Sequence, residues 1–400
     1  MSPDEGNPMD VLSLTAELVA IDSSNPGVGE QEVVTRLEQL CTELGLPHQR
    51  IEPVQGRPNL IVTVDKGPGP HLALSGHVDT KPVGDALKLW ETDPFTLTTV
   101  GDDAFGLGSS DMKGAVAAML LAIRRFADAP GSGTVSAVLT ADEEQGSAAG
   151  AQALTQQKLL PDIDAMVICE PSGIERPWEA LHLASRGICC FELDIWTNQG
   201  HSGLSPVLGR NATLVAADLL KAFESFHPSV THPGHVPCPV TVNPGMIIEG
   251  GVAFGTWPGH CRVGVEIRLA PGMDEHVVKN EVRQLVNSVT DGQAQVDINY
   301  RPGSLGWMDG IELDPAHAVA QACQSAAKTV LGHHLEPSGY PGGTDASYFM
   351  REAGIPTVTS LGPGWLSVAH GPNERVGVAQ LYQSVDLYEA VAAAYMTGQT

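Results

Sequence analysis

Basic residues are scarce in this chain. Lys and Arg number 22 against 47 Asp and Glu, for a formal net charge of −25. A phosphate backbone needs a basic face, so nucleic acid is excluded as a partner. An anionic membrane surface is disfavoured on the same ground. Aromatics make up only 5%. No apolar window approaches the ~20 residues that cross a bilayer. The seven cysteines are odd in number and include no CxxC pair, which argues against a disulfide framework and a thiolate zinc site. The polar opening Met-Ser-Pro-Asp-Glu-Gly-Asn-Pro has neither a basic start nor an apolar stretch, so no secretory leader is expected and the cytosol is the expected compartment.

What is present is an ordinary apolar fraction, 42%, over 400 residues, a length that predicts about two domains. Helical periodicity occupies residues near 9–21 and 30–45, either side of Ser23-Ser24-Asn25-Pro26-Gly27. Short apolar runs suited to buried strands follow at 59–65 and 71–75, and again at 134–140 and 165–169. Between them lie an Ala/Leu/Met helix over 113–126 and an Ala-rich helix ending near 157. This alternation predicts an α/β domain with a mostly parallel sheet flanked by helices. The texture changes near 182. Strands at 188–197, 261–269 and 294–300, with helices at 210–226 and 274–290, read as an inserted α+β two-layer sandwich. The adjacent Cys189 and Cys190 should point to opposite faces of their strand, and His227, His232 and His235 read as a solvated loop. From about Leu313 the first texture returns, with a short strand at 355–359 and a closing helix at 376–395. The expected domains are therefore 1–181 with 299–400, and 182–298.

Five short segments bring metal-ligand chemistry to the ends of apolar runs. They are Ser-Gly-His77-Val-Asp79-Thr, Gly-Ser-Ser-Asp111-Met-Lys-Gly, Ala-Asp-Glu143-Glu144-Gln-Gly-Ser, Cys-Glu170-Pro-Ser and Ala-His370-Gly-Pro-Asn-Glu. Loops at the carboxyl ends of parallel strands converge on one crevice. Burying that many carboxylates without a counter-cation costs several kcal/mol per ion, on the order of magnitude known for buried charges. Imidazole with carboxylate suits zinc, and cobalt or manganese as well. Asp79, two residues after His77, is placed to orient that imidazole. In the Glu143-Glu144 pair one carboxylate can coordinate while the other stays free to take a proton. His370 can join only if the C-terminal segment folds back onto the first sheet.

Taken in order, these segments resemble the co-catalytic zinc amidohydrolases that include acetylornithine deacetylase, succinyl-diaminopimelate desuccinylase, aminoacylase and carboxypeptidase G. The resemblance extends through Gly200-His201-Ser-Gly, Gly209-Arg-Asn-Ala, Val242-Asn243-Pro, Gly250-Gly251, Arg268 with Pro271-Gly272, and Gly342-Gly343-Thr344-Asp345. It implies two divalent metal ions, zinc foremost. Asp111 would bridge them, His77 and Glu170 would complete one, and Glu144 and His370 the other. It implies a cis peptide after Asp111. Glu143 would be the general base acting on a metal-bridging water, and His201 would support the oxyanion from across a dimer. Arg268 would grip the substrate carboxylate, with Asn243 and the Gly343–Thr344 backbone adding hydrogen bonds. The insert would be a lid and dimerisation domain of a homodimer. Departures from the family pattern at 255–259 and at Cys169 touch pocket shape and remove no ligand.

The activity so implied is amide hydrolysis of a small N-acyl amino acid or short peptide. A dipeptidase, carboxypeptidase or N-carbamoyl amino acid amidohydrolase is the neighbouring alternative. A silent dimeric binding protein of the same fold is the remote one, and loss of Glu143 or of a ligand would mark it. None is lost.

Overall fold

The computed structural model of the protein describes residues 10–398, and the polar opening at 1–8 lies outside them. The chain forms two compact units. One comprises the residues up to Ala184, Glu312–Tyr340 and those from Thr344 on. The other comprises Ser185–Ile311 with Pro341–Gly343. The expected insert at 182–298 thus ends later. The physical reason is that Ile188 and Met308 exchange backbone hydrogen bonds (3.0 and 2.9 Å) and Pro271 bridges to Gly310, which keeps 299–311 with the second sheet.

The sheet of the first unit has six strands. Their order is His48–Val54, Arg57–Asp65, Thr134–Thr140, His71–His77, Ala165–Ile168 and Thr357–Val358. The first two junctions are antiparallel and the last three parallel. Leu72, Leu74, Val135, Val138, Leu139, Met166 and Val167 are all buried. Strands covered on both faces read as unbroken apolar runs, which is why periodicity finds them. The edge strand His48–Val54 is half exposed and mixed in composition, so periodicity does not announce it.

Helix Lys113–Asp128 is buried over most of its circumference. It packs against Thr134–Thr140 and the closing helix Val378–Thr397. Gly114 permits the approach of the closing helix, since a Cβ there would lie 2.8 Å from Leu381 Cδ2. Truncating fully buried Leu120 to Ala would cost about 2–5 kcal/mol. Among the described residues, no helix is long and apolar enough to cross a membrane.

The second unit has a four-stranded sheet in the order Thr241–Gly250, His260–Leu269, Gly187–Trp196, Gln295–Tyr300, antiparallel throughout. One face packs its core, with Phe191, Leu193, Ile195, Val263, Val265 and Ile267 against Leu219 and Phe223 from helix Ala212–Glu224 and Val278 and Val282 from helix Glu275–Thr290. Alternation places Cys189 in that core and leaves Cys190 half-buried. Both helices start at side-chain caps, Asn211 and Asp274, each worth about 1 kcal/mol. The edge strand Thr241–Gly250 carries Pro244, Gly245 and a break in register between Pro244 and Ile247, features that hide it from pattern reading.

Candidate metal centre

The parallel strands end in register. His77 lies beside Thr140, and Ser75 beside Ile168, so the residues that follow them emerge at one edge. His77 is the last residue of its strand. Glu143 and Glu144 form the turn after Thr140, and Glu170 comes just after Ile168. Asp111 comes from the loop that opens helix Lys113–Asp128, and the peptide after it is cis. Gly76 makes room for that loop, because a Cβ there would stand 2.5 Å from Met112 Cε. His370 follows the strand Gly362–Trp365, which runs parallel to Pro171–Gly173 beside Glu170. That pairing is the fold-back needed to bring the C-terminal imidazole in.

The result is two triads sharing Asp111. His77 Nε2 lies 2.9 Å from Asp111 Oδ1 and 3.4 Å from Glu170 Oε1. His370 Nε2 lies 3.2 Å from Asp111 Oδ2 and 3.1 Å from Glu144 Oε2. In each triad the potential ligand atoms lie within 4.8 Å of one another. The two oxygens of Asp111 therefore face different triads, as a bridging carboxylate requires. Glu144 Oε1 is buried without a hydrogen-bond partner, a costly state for a carboxylate oxygen unless a cation meets it. The donors are imidazole nitrogen and carboxylate oxygen, a mixed set that suits a pair of divalent ions.

Proton affinities show the strain of holding these acids together. Burial disfavours the charged form of His77, yet Glu170, Asp111 and Asp79 outweigh it and hold the imidazolium well above its usual range. Burial likewise opposes His370, but Asp111 and Glu144 push it up to about 10. Burial raises Asp111, and hydrogen bonds from His370 and His77 overcome that and lower it. Glu170 is pushed up to about 7 by burial and then by Asp111. Glu143 is held well above the usual carboxylate range by burial, with Glu170, Glu144 and Asp345 adding to it against the opposing charge of His77. A carboxylate whose proton affinity is raised in this way is better suited to take a proton than an ordinary surface glutamate.

Asp79 does more than face His77. The imidazole Nδ1 lies 2.9 Å from the Asp79 main-chain oxygen and 3.5 Å from its carboxylate. The carboxylate itself accepts hydrogen bonds from the Glu143 and Glu144 amides (3.3 and 3.2 Å) and from Asn25 Nδ2 (2.8 Å). Asp79 therefore ties the His77 strand to the turn that carries both glutamates. Glu374 ends the segment that begins at His370. Its buried carboxylate accepts hydrogen bonds from the amides of Gly108, Ser110 and Asp111, each 3.0 Å.

Of the remaining expected residues, His201, Asn243 and Arg268 belong to the second unit. His201 is exposed, and its Nδ1 accepts a hydrogen bond from the Gly203 amide, capping a short helical turn. The departing segment near 255–259 holds it, since His201 pairs with Thr256. Arg268 makes a two-bond fork onto Glu266 (3.0 and 3.1 Å), and Asn243 Nδ2 donates to the same Glu266 (3.0 Å). Glu266 carries no sequence signal apart from its alternation with Arg268. Gly343 belongs to the second unit. Thr344 belongs to the first and is buried at the start of helix Ala346–Arg351.

Residues 73–394 match Peptidase family M20/M25/M40. A succinyl-diaminopimelate desuccinylase from Cereibacter sphaeroides is 30% identical over 396 residues, covering 98% of this chain and 100% of that protein. An acetylornithine deacetylase from Photorhabdus laumondii is 29% identical over 378 residues, covering 92% of this chain and 90% of that one. Among solved structures, an M20 family metallo-carboxypeptidase from Sulfolobus solfataricus superposes with a TM-score of 0.77 at 20% identity, over 97% of this chain and 99% of that one. The matched segment contains every member of the two triads, and the chain belongs to peptidase family M20/M25/M40, the amide-cleaving metallohydrolases.

Proposed function

We propose that this enzyme hydrolyses the amide bond of N-acyl amino acids. The single observation that carries this reading is the pair of triads on Asp111 with Glu143 beside them. The desuccinylase and deacetylase relatives support the substrate class. His77, Asp111 and Glu170 would hold one divalent ion, and Asp111, Glu144 and His370 the other, with zinc the metal the donor set suits best. When bound, the ions supply positive charge that polarises the scissile carbonyl and acidifies water.

The chain's own residues do the rest. Glu143 takes a proton from the attacking water and returns it to the leaving amine. Asp79 keeps Glu143 in place by bonding its amide. In the same reading His201 donates to the developing oxyanion. Arg268 holds the substrate carboxylate, and Asn243 and the Gly343–Thr344 backbone add hydrogen bonds. A homodimer formed through the second unit belongs to this proposal. It is supported by the exposed Ile247, Ile248, Val252 and Phe254 on and beyond the edge strand Thr241–Gly250, since an open strand edge with apolar side chains invites pairing. The buried thiols of Cys41, Cys169, Cys189, Cys261 and Cys323 suit the cytosolic setting that completes the reading.

The test is a hydrolysis screen of the zinc-loaded protein with N-acetyl, N-succinyl and N-carbamoyl amino acids and with dipeptides. Turnover of an N-acetyl or N-succinyl amino acid is expected. Turnover confined to dipeptides or N-carbamoyl substrates would replace the proposed substrate class with its neighbour.

A further inference from the structure

Lys81 stands two residues beyond Asp79 and turns its ammonium onto one half of the acidic cluster. Its Nζ lies 3.1 Å from Glu144 Oε2 and also donates to the Glu144 main-chain oxygen. The same Oε2 lies 3.1 Å from His370 Nε2. The side chain is 31% exposed, so it lies at the rim of the cluster. On the His77–Glu170 side, no lysine or arginine ion pair reaches Glu170 among the described residues. The two triads are thus alike in ligand type and unlike in their neighbouring charge.

We infer that Lys81 is a resident counter-cation that sets the affinity of the Asp111–Glu144–His370 position for its ion. Two effects act on an ion at that position. A divalent ion entering that triad competes with Lys81 for the Glu144 carboxylate. The main-chain oxygen of Glu144 is not part of the triad, so it keeps the ammonium nearby after the carboxylate has been taken. Like charges a few ångströms apart then repel. Both effects weaken the ion at this position and leave the His77–Glu170 position untouched. The design also keeps the cluster from carrying its full negative charge when that position is empty.

The inference rests on the two-ion reading above, and one experiment separates the two. Metal-free protein is titrated with Zn2+ by calorimetry, as wild type and as the His370→Ala, Lys81→Met and Lys81→Arg variants. Two ions per wild-type chain, with one step abolished by His370→Ala, identifies the step in question. Lys81→Met keeps the aliphatic stem and is expected to tighten that step about tenfold, a partial effect because the group is part-exposed, without moving the other. Lys81→Arg, which keeps the charge, should restore the wild-type value. An unchanged or weakened step in Lys81→Met overturns the inference. So does an equal shift of both steps, which would be a general charge effect. Fewer than two ions in the wild type overturns the two-ion reading itself, and the role of Lys81 with it.

Discussion

Glu143 and Glu144 are adjacent, yet the structure separates their work. Glu144 faces His370 across 3.1 Å, while Glu143 takes no place in either triad. Glu143→Ala is therefore expected to retain bound metal and to lose activity by about 10²–10⁴-fold, the usual worth of a general base. Metal analysis beside a rate measurement checks this, and loss of metal together with rate would assign Glu143 to the ligands instead. The histidines allow a second prediction. Without metal, His370 titrates at about 10 instead of 6.5, and His77 is also raised. A raised folded value stabilises below the unfolded value and loses that contribution as pH climbs through the folded one. Glu170, raised from 4.5 to about 7, acts with the same sign at lower pH. The metal-free chain should therefore lose stability from about pH 4.5 upward, through 7 and on toward 10. A ligating imidazole must be neutral, so zinc loading at neutral pH should expel protons. Calorimetry in buffers of different ionisation heat counts them. A count of zero would mean the rings are already neutral.

At the scale of elements, the loop that presents Asp111 is held from outside its own segment. Glu374 receives three of its amides and lies four residues beyond His370. Two ligand-bearing stretches are thus fastened by one carboxylate. Glu374→Ala leaves those three amides without their acceptor and should destabilise the fold by roughly 2–5 kcal/mol. Glu374→Gln keeps one oxygen, enough for Ser110 and Asp111 but not for Gly108, and should fall between. Urea unfolding gives the energies, and zinc retained after dialysis should follow the same order. Wild-type retention in the Ala variant would reduce Glu374 to a structural role away from the metals. None of this is visible in the sequence. Glu374 lies four residues beyond His370, but its bonding depends on which loop comes to rest beside it. Asn25 is similar, since its side chain bridges Asp79 and Asp142 from a loop readable only as a break between helices.

For the whole molecule, metal is expected to act as part of the fold. Binding to the native chain alone stabilises it in proportion to ligand concentration over its dissociation constant. Chelation should lower the melting temperature by about 5–15 °C, and added zinc should restore it. An unchanged melting curve would mean that the acidic cluster is tolerated without cations. The exposed edge of the second unit carries the dimer prediction. Ile248→Asp with Phe254→Asp should yield monomers by sedimentation while leaving the first unit's zinc content unchanged. A persistent dimer would move the interface elsewhere.

The sequence by itself determined the candidate ligand kit and the element type beside most of its members. His77, Asp111, Glu144 and Glu170 were legible because each ends or begins an apolar run, and parallel strands bring such ends to one edge by geometry alone. The inserted sandwich was legible from its alternating strands, though its far boundary was not, because that depends on Met308 returning to Ile188. Only the tertiary structure decided that His370 reaches Asp111 and that Asp79 serves the Glu143 turn as well as His77. It alone decided that Glu266 sits in the Arg268 fork and that Lys81 lies on one triad and not the other. Each of these is a contact between side chains distant along the chain or free to turn more than one way. Periodicity and spacing specify where a residue sits on its own element, and packing alone specifies what it meets.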